Sequence, residues 1–368
     1  MILELRIPLL GRQKISLKNE SEKCYEKLEK LGEKERLENK VMHLGILHEI
    51  GDIPSFGRWV HVSTMLTLIE EIAMLSKNTS GALSNVLGFG LNAKVSLPNR
   101  ARFSSSIELL KSWAMIYSIG HFIGTFTSEH ALLSSIVKRK KEFIDGLCNK
   151  LGGEDDDILR EAFKEIVEDE RIFGLFKIFT TLKIFEHFDR RHIELAKLNL
   201  LEEKYIEQIE DVTQREKIWN LLAFFKFIRK LSFTILDGYF SQNCVLLNHY
   251  FFLLNLDKIL HNQEYNQLLD DIGLFYTRTI YQSPENMYYH HEFAKTIEKE
   301  VFSTYSNLEE LIQQCINNQI DEEIENTIHK ASKRIKNNEL PHFGRILLRN
   351  IRKPVSIEKK FLKKSVVG

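Results

Sequence analysis

A mainly α-helical fold is predicted from three features of the sequence. Only six Pro and 18 Gly interrupt 368 residues, long stretches repeat apolar residues at three- and four-residue spacing, and few segments alternate as half-buried strands do. A hydrophobic content of 43% supplies material for a core in one large domain or two modest ones.

The elements follow in order. Met1 to Leu10 alternates apolar and polar residues, which predicts a short strand, and it lacks the basic-then-apolar profile of a signal peptide. Residues 18 to 40 are dense in Glu and Lys with Tyr25, Leu28, Leu31 and Leu37 at helical spacing, which predicts an exposed helix with a narrow apolar stripe. Gly45 and the Gly51 to Gly57 stretch with Pro54 read as loop. From Val62 onward, Met65, Leu68, Ile69, Ile72 and Leu75 recur on one face, so His61 stands at the start of a helix. Residues 76 to 105, rich in Ser, Asn and Gly with Pro98, read as a loop insertion or lid. Ile107 to Ile119 is an apolar helix and Gly152 to Asp157 a solvated turn.

Long helical patterns continue through Leu159 to His187, Ile218 to Leu236 and Val245 to Leu260. His187-Phe188-Asp189, followed by Arg190 and Arg191, reads as a helix end at the surface. The most apolar run, Ile218 to Leu236, holds Asn220, Lys226, Arg229 and Lys230, and charges so placed argue for a buried helix over a membrane span. Ser306-Asn307-Leu308-Glu309 has the form of a capping box, and Leu308, Leu311, Ile312, Cys315, Ile316 and Ile320 extend it as a helix. The basic stretch Lys330 to Lys364 reads as a solvated tail or packing helix. The expected organisation is a strand and exposed helix over 1–40, a helical domain over 41–305 containing the 76–105 insertion, and a C-terminal helix with basic tail over 306–368.

Lys+Arg and Asp+Glu balance at 51 each, so no global field draws the chain to nucleic acid or an anionic membrane. Cys24, Cys148, Cys244 and Cys315 are isolated, which predicts reduced thiols in a cytoplasmic setting. Phosphate-loop, zincin, serine-hydrolase and zinc-ribbon patterns are absent from the sequence.

Four short motifs carry the functional reading. Arg58-Trp59-Val60-His61 is followed by Tyr117-Ser118-Ile119-Gly120-His121, then Phe275-Tyr276-Thr277-Arg278 and Tyr288-Tyr289-His290. In this order they resemble the deoxynucleotide triphosphohydrolase branch of the HD phosphohydrolase superfamily, whose pattern runs R-x-x-H, H-D-x-G-H, a lone Asp, F-x-T-R and Y-x-H. The resemblance covers residues 40 to 305 and implies an HD-like helical bundle. It implies His61 and Asp237 as metal ligands and Arg58, Arg278, Tyr288 and His290 as substrate contacts. Glu129 matches an acidic residue of the family pattern, and Phe126 stands where the family often has His. For the Asp, a second register puts Thr234 at the ligand position, and Asp257 is a third candidate.

Tyr117 and Ser118 replace the His-Asp doublet. A phenol stays protonated near neutral pH and a hydroxyl carries no charge, so neither replaces imidazole or carboxylate well. Losing a nitrogen ligand and an anion together predicts no metal or a weakly held divalent one. His121, on the same expected helical face, gives with His61 and Asp237 an alternative three-ligand cluster, with His121 and Glu129 as catalytic candidates.

Three functions follow. The first is a pseudoenzyme that keeps a nucleotide pocket in a regulatory or binding role. The second is an active metal-dependent phosphohydrolase with an altered ligand set. The third is a scaffold that retains only the fold and meets a protein partner or a second copy of itself.

Overall fold

The computed structural model describes residues 1–7, 10–42, 48–49, 56–78, 87–151, 157–240, 252–253, 255–256, 263–282 and 284–336. Fifteen α-helices and two small antiparallel hairpins appear among them, so the mainly α expectation holds. Strand β1 (Ile2–Ile7) pairs with β2 (Gly11–Ser16), Leu5 opposite Gln13, which buries Leu5, Ile7 and Ile15 on one face. The second strand of this hairpin was not visible in the sequence pattern.

Residues 18 to 40 form two helices, α1 (Asn19–Lys30) and α2 (Glu33–Asn39), broken where Gly32 takes φ +69. They are less exposed than their charge predicts. Cys24, Tyr25, Leu28 and Leu37 are buried, and so are Glu33 and Lys40, each held by a charged partner. Helix α3 (Arg58–Asn78) buries Val62, Met65, Leu66, Leu68, Ile69 and Ile72. It is also buried at Thr64 and Thr67, whose hydroxyls donate back to the Val60 and Ser63 carbonyls at 2.8 and 3.0 Å. That local bonding lets polar residues face the core without losing a partner.

Within the expected insertion, residues 87–105 form no free loop. Strands β3 (Val95–Leu97) and β4 (Ala101–Phe103) pair, and Val95, Leu97, Ala101 and Phe103 are buried because the alternating positions face inward. The hairpin packs on α9 (Arg190–Leu201).

The central layer is α3, α4 (Ser106–Ile116) and α11 (Val212–Phe240). Ser105 caps α4 by accepting from the Glu108 amide at 3.2 Å. Trp113 on α4 stacks on Phe225 of α11 at 4.1 Å and donates through Nε1 to Asn199 of α9 at 3.1 Å. One indole thus ties three helices while satisfying its polar atom.

Helix α5 (Phe126–Ser135), α6 (Lys140–Asn149), α7 (Asp157–Glu168), α8 (Ile172–His187) and the short α10 (Glu203–Glu207) complete the middle of the chain. Phe188 and Asp189 end α8 and begin α9. The Asp189 carboxylate accepts from the Arg191 and His192 amides, in keeping with a helix boundary there.

Helices α12 (Gln263–Tyr276), α13 (Pro284–Glu300), α14 (Leu308–Ile316) and α15 (Asp321–Lys336) close the C-terminal part, with α13 against α5 and α15. The expected capping box at Ser306 does not form. Asn307 is the cap, its side-chain oxygen accepting from the Glu309 and Glu310 amides at 2.9 and 3.4 Å. The predicted single helix to Ile320 is interrupted at Asn318, which has φ +66. Cys24, Cys148 and Cys315 are buried free thiols, whereas Cys244, most of Val245 to Leu260, Gly152 to Asp156 and the tail after Lys336 lie outside the described residues. No described helix is long and apolar enough to cross a membrane.

Candidate functional site

The site is built at the point where α3, the end of α4 and α11 meet. The Arg58 amide donates to the Lys40 carbonyl at 2.8 Å, which sets the first turn of α3 against the end of α2. One turn on, His61 is fully buried beside Phe233 of α11, ring centroids 3.9 Å apart, and edge-on to Tyr117 at 6.4 Å. Tyr117 accepts a hydrogen bond from Arg229 Nη1 at 3.2 Å, and that guanidinium lies 5.3 Å from its ring centroid. Tyr117 thus faces His61 with its phenol bonded to a cation.

His121 does not share a helical face with Tyr117 and Ser118. Helix α4 ends at Ile116, and three backbone groups of the exit segment bond to other elements. Lys183 donates to the Ile119 carbonyl at 3.1 Å, the Gly120 amide donates to Thr180 Oγ1 at 3.0 Å, and Lys40 donates to the His121 carbonyl. The His121 ring then stacks on Phe176 at 3.8 Å. Gly124 at φ +74 and Thr125 at φ +44 turn the chain back into α5, and Glu129 comes to lie 2.5 Å from His121 Nδ1. These two catalytic candidates are therefore brought together. Burial raises the Glu129 carboxyl to about 8 despite Arg58 and Lys40, and burial, with Arg58 and Lys40, holds His121 well below the usual imidazole range.

Asp237 stands one turn beyond Phe233 on α11 and accepts from the Tyr281 hydroxyl at 2.6 Å. Tyr281 ends the π-helical turn Thr277–Tyr281, which reaches back toward Arg58. Arg278 sits on the same turn and is exposed, and Tyr288 is half-buried against Tyr289. His290 is buried at the α5–α13 contact, 2.5 Å from Thr127 Oγ1 and edge-on to Phe126. Arg58, His61, Tyr117, His121 and Glu129 thus form one centre, with Asp237 joined to it through Tyr281. Of the four expected substrate contacts, Arg58 lies in this centre, Arg278 is exposed, Tyr288 is half-buried and His290 bonds Thr127 at the α5–α13 contact.

The alternative cluster of His61, His121 and Asp237 is not formed. Among the described residues no three or more His, Cys, Asp or Glu side chains are grouped to hold a metal ion. The surroundings explain this: a divalent cation at His61 would face the Arg58 and Arg229 guanidiniums, while Asp237 takes the Tyr281 hydroxyl and Glu129 is engaged with His121.

His61 also makes the fold sensitive to acid. Burial, then Arg58 and Arg229, lowers its pKa from 6.5 to about 3; the Arg229 backbone acts weakly the other way without reaching hydrogen-bond geometry. The unfolded chain takes up a proton near 6.5 that the folded chain refuses, so stability is full above that value and falls as pH drops toward 3. The expected slope from this residue is about 1.4 kcal/mol per pH unit. Urea unfolding across that window checks it: His61→Phe, which keeps the ring contact with Phe233, is expected to remove one proton's worth of the slope.

Arg229, Tyr281, Lys40 and Lys183 were not singled out as site residues. Arg229 and Lys183 had a signal, each being a cation inside an apolar helix, whereas nothing near Lys40 distinguishes it from its charged neighbours. Comparison with protein-family models, curated proteins and solved structures returns no match.

Proposed function

We propose that this chain is an HD phosphohydrolase-like protein with an impaired metal site, acting as a nucleotide-binding or regulatory protein. The observation that carries the reading is Tyr117 in the doublet position, edge-on to His61 and bonded to Arg229. An aromatic ring and a guanidinium stand where a metal-binding pair is expected, which removes ligands and adds positive charge. Arg58 inside the centre supports a retained anionic ligand, because a guanidinium donates paired charged hydrogen bonds to phosphate.

The second reading, a hydrolase with an altered ligand set, is favoured by one observation. His121 and Glu129 are held in hydrogen-bond contact inside the same centre, as a proton-transfer pair requires.

Metal analysis and thermal shift separate the readings. The purified chain is expected to retain far less than one equivalent of Mn, Fe, Co, Ni or Zn, and nucleotides at about 5 mM are expected to raise its melting temperature. Stoichiometric metal that is lost in His61→Ala overturns the impaired-site reading in favour of the hydrolase. A melting temperature unmoved by every nucleotide leaves the scaffold reading.

A further inference from the structure

The buried polar atoms around His61 have the wrong character for a cation and the right one for an anion. Arg58 is buried, its Nε has no hydrogen-bond partner, and neither ring nitrogen of His61 has one. Arg229 approaches the same imidazole from α11, bonded to the Tyr117 hydroxyl. The nearby carboxylates are otherwise engaged, Glu129 with His121 and Asp237 with Tyr281. Neither Arg58 nor Arg229 forms an ion pair with a described residue. A buried guanidinium with an unpartnered N–H is unfavourable, and the unpartnered His61 ring offers a further N–H donor. In keeping with this, burial lowers Arg58 to about 10 even with Glu129 in its vicinity.

We propose that the position at which the resemblance implies a divalent cation instead takes a compact oxyanion, a phosphate or phosphoryl group, held by Arg58, Arg229 and His61. This rests on the nucleotide-binding reading only for where the phosphoryl group comes from; free phosphate satisfies the same donors. The charge of the centre is inverted relative to a metal site, because Tyr117 and Ser118 remove the ligands while Arg229 adds a cation. Tyr117 does more than fill space here: its hydroxyl fixes the guanidinium beside His61.

The test uses the full chain, with inorganic phosphate as the probe against sodium chloride at matched ionic strength. Phosphate at about 10 mM is expected to raise the melting temperature by about 2 °C or more. Titration calorimetry is expected to show Arg229→Gln binding phosphate about tenfold more weakly than the wild type. Arg229 is half-buried, so this variant keeps the test sound should Arg58→Gln fail to fold. Equal melting in phosphate and chloride overturns the inference, as does unchanged affinity in Arg229→Gln. Nucleoside and nucleotide arms keep the two readings apart. Binding of free phosphate without nucleotide sustains the oxyanion site and removes the nucleotide reading. Equal binding of nucleoside and nucleotide without phosphate does the reverse.

Discussion

Gly120→Ala is expected to abolish the native fold. A Cβ at this position would stand 2.1 Å from the Phe176 carbonyl oxygen and 2.2 Å from the Thr180 amide nitrogen, both backbone atoms of α8. Backbone cannot swing aside as a side-chain tip does, so α8 has to move by about an ångström in a close-packed interior. The same helix carries Phe176, which stacks on His121, and Lys183, which holds the Ile119 carbonyl, so the displacement dismantles the segment that presents His121. The expected loss exceeds about 5 kcal/mol, beyond the ordinary range for a point substitution. Gly146→Ala is the control. There the added Cβ meets Ile312 Cδ1 at 2.8 Å, the movable end of a side chain, and a loss of about 1 kcal/mol is expected. Thermal melts and circular dichroism of the two variants decide the matter: similar behaviour would show that the close approach at Gly120 is not needed.

The contrast between these glycines shows what was legible in the sequence. Apolar periodicity located α3, α4, α8 and α11, since one buried face repeats along each helix. The motif containing Gly120 was visible, but not that its glycine lets α8 approach the turn after α4. Strand β2 and the β3–β4 pair were missed because three-to-six-residue strands leave little pattern, and the latter lies in a stretch rich in turn residues, whereas the alternation of the first ten residues did mark β1. At the site, Arg58, His61, His121 and Glu129 were marked singly by motif positions, whereas the contact between His121 and Glu129 and the environment that decides their chemistry were not. Arg229 reaches His61 from 168 positions further on, and a pairing over that distance has no local signature. Charge also misled the reading of residues 18 to 40. Density of Glu and Lys predicts exposure only when each charge is solvated, and here part of that charge faces partners inside the protein.

Asp321→Ala tests those partners and should destabilise the fold by about 3 kcal/mol, because it removes the carboxylate beside the fully buried Lys40 and one of the two that hold the half-buried Arg36. Asp321 on α15 accepts from Arg36 of α2 and lies 3.7 Å from the Lys40 ammonium; its other oxygen receives the Ile123 amide at 3.3 Å. Beside it, Glu33 binds Arg36 at 2.9 Å and Lys183 at 3.3 Å, and Asn318 donates to the same carboxylate at 2.8 Å. This buried network joins α2, α8 and the α14–α15 junction to the segment bearing His121, so its removal should loosen the candidate site as well as the fold. Burial alone would raise the Glu33 carboxyl, but Lys183, Arg36 and Lys40 outweigh it and bring it from 4.5 down to about 2; Asp321 is lowered by Lys40 and Arg36 against the same opposition. A depressed carboxylate stabilises the fold fully above its unfolded value and ceases to do so as pH falls through its folded value. The wild type should therefore lose stability steeply between 4.5 and about 2, a window that overlaps the lower part of that of His61 and extends below it. Asp321→Ala, measured by urea unfolding at a series of pH values, should start lower and fall less steeply there. Unchanged stability at neutral pH would mean that water reaches Arg36 and Lys40 and that the network does not hold the two ends of the chain together.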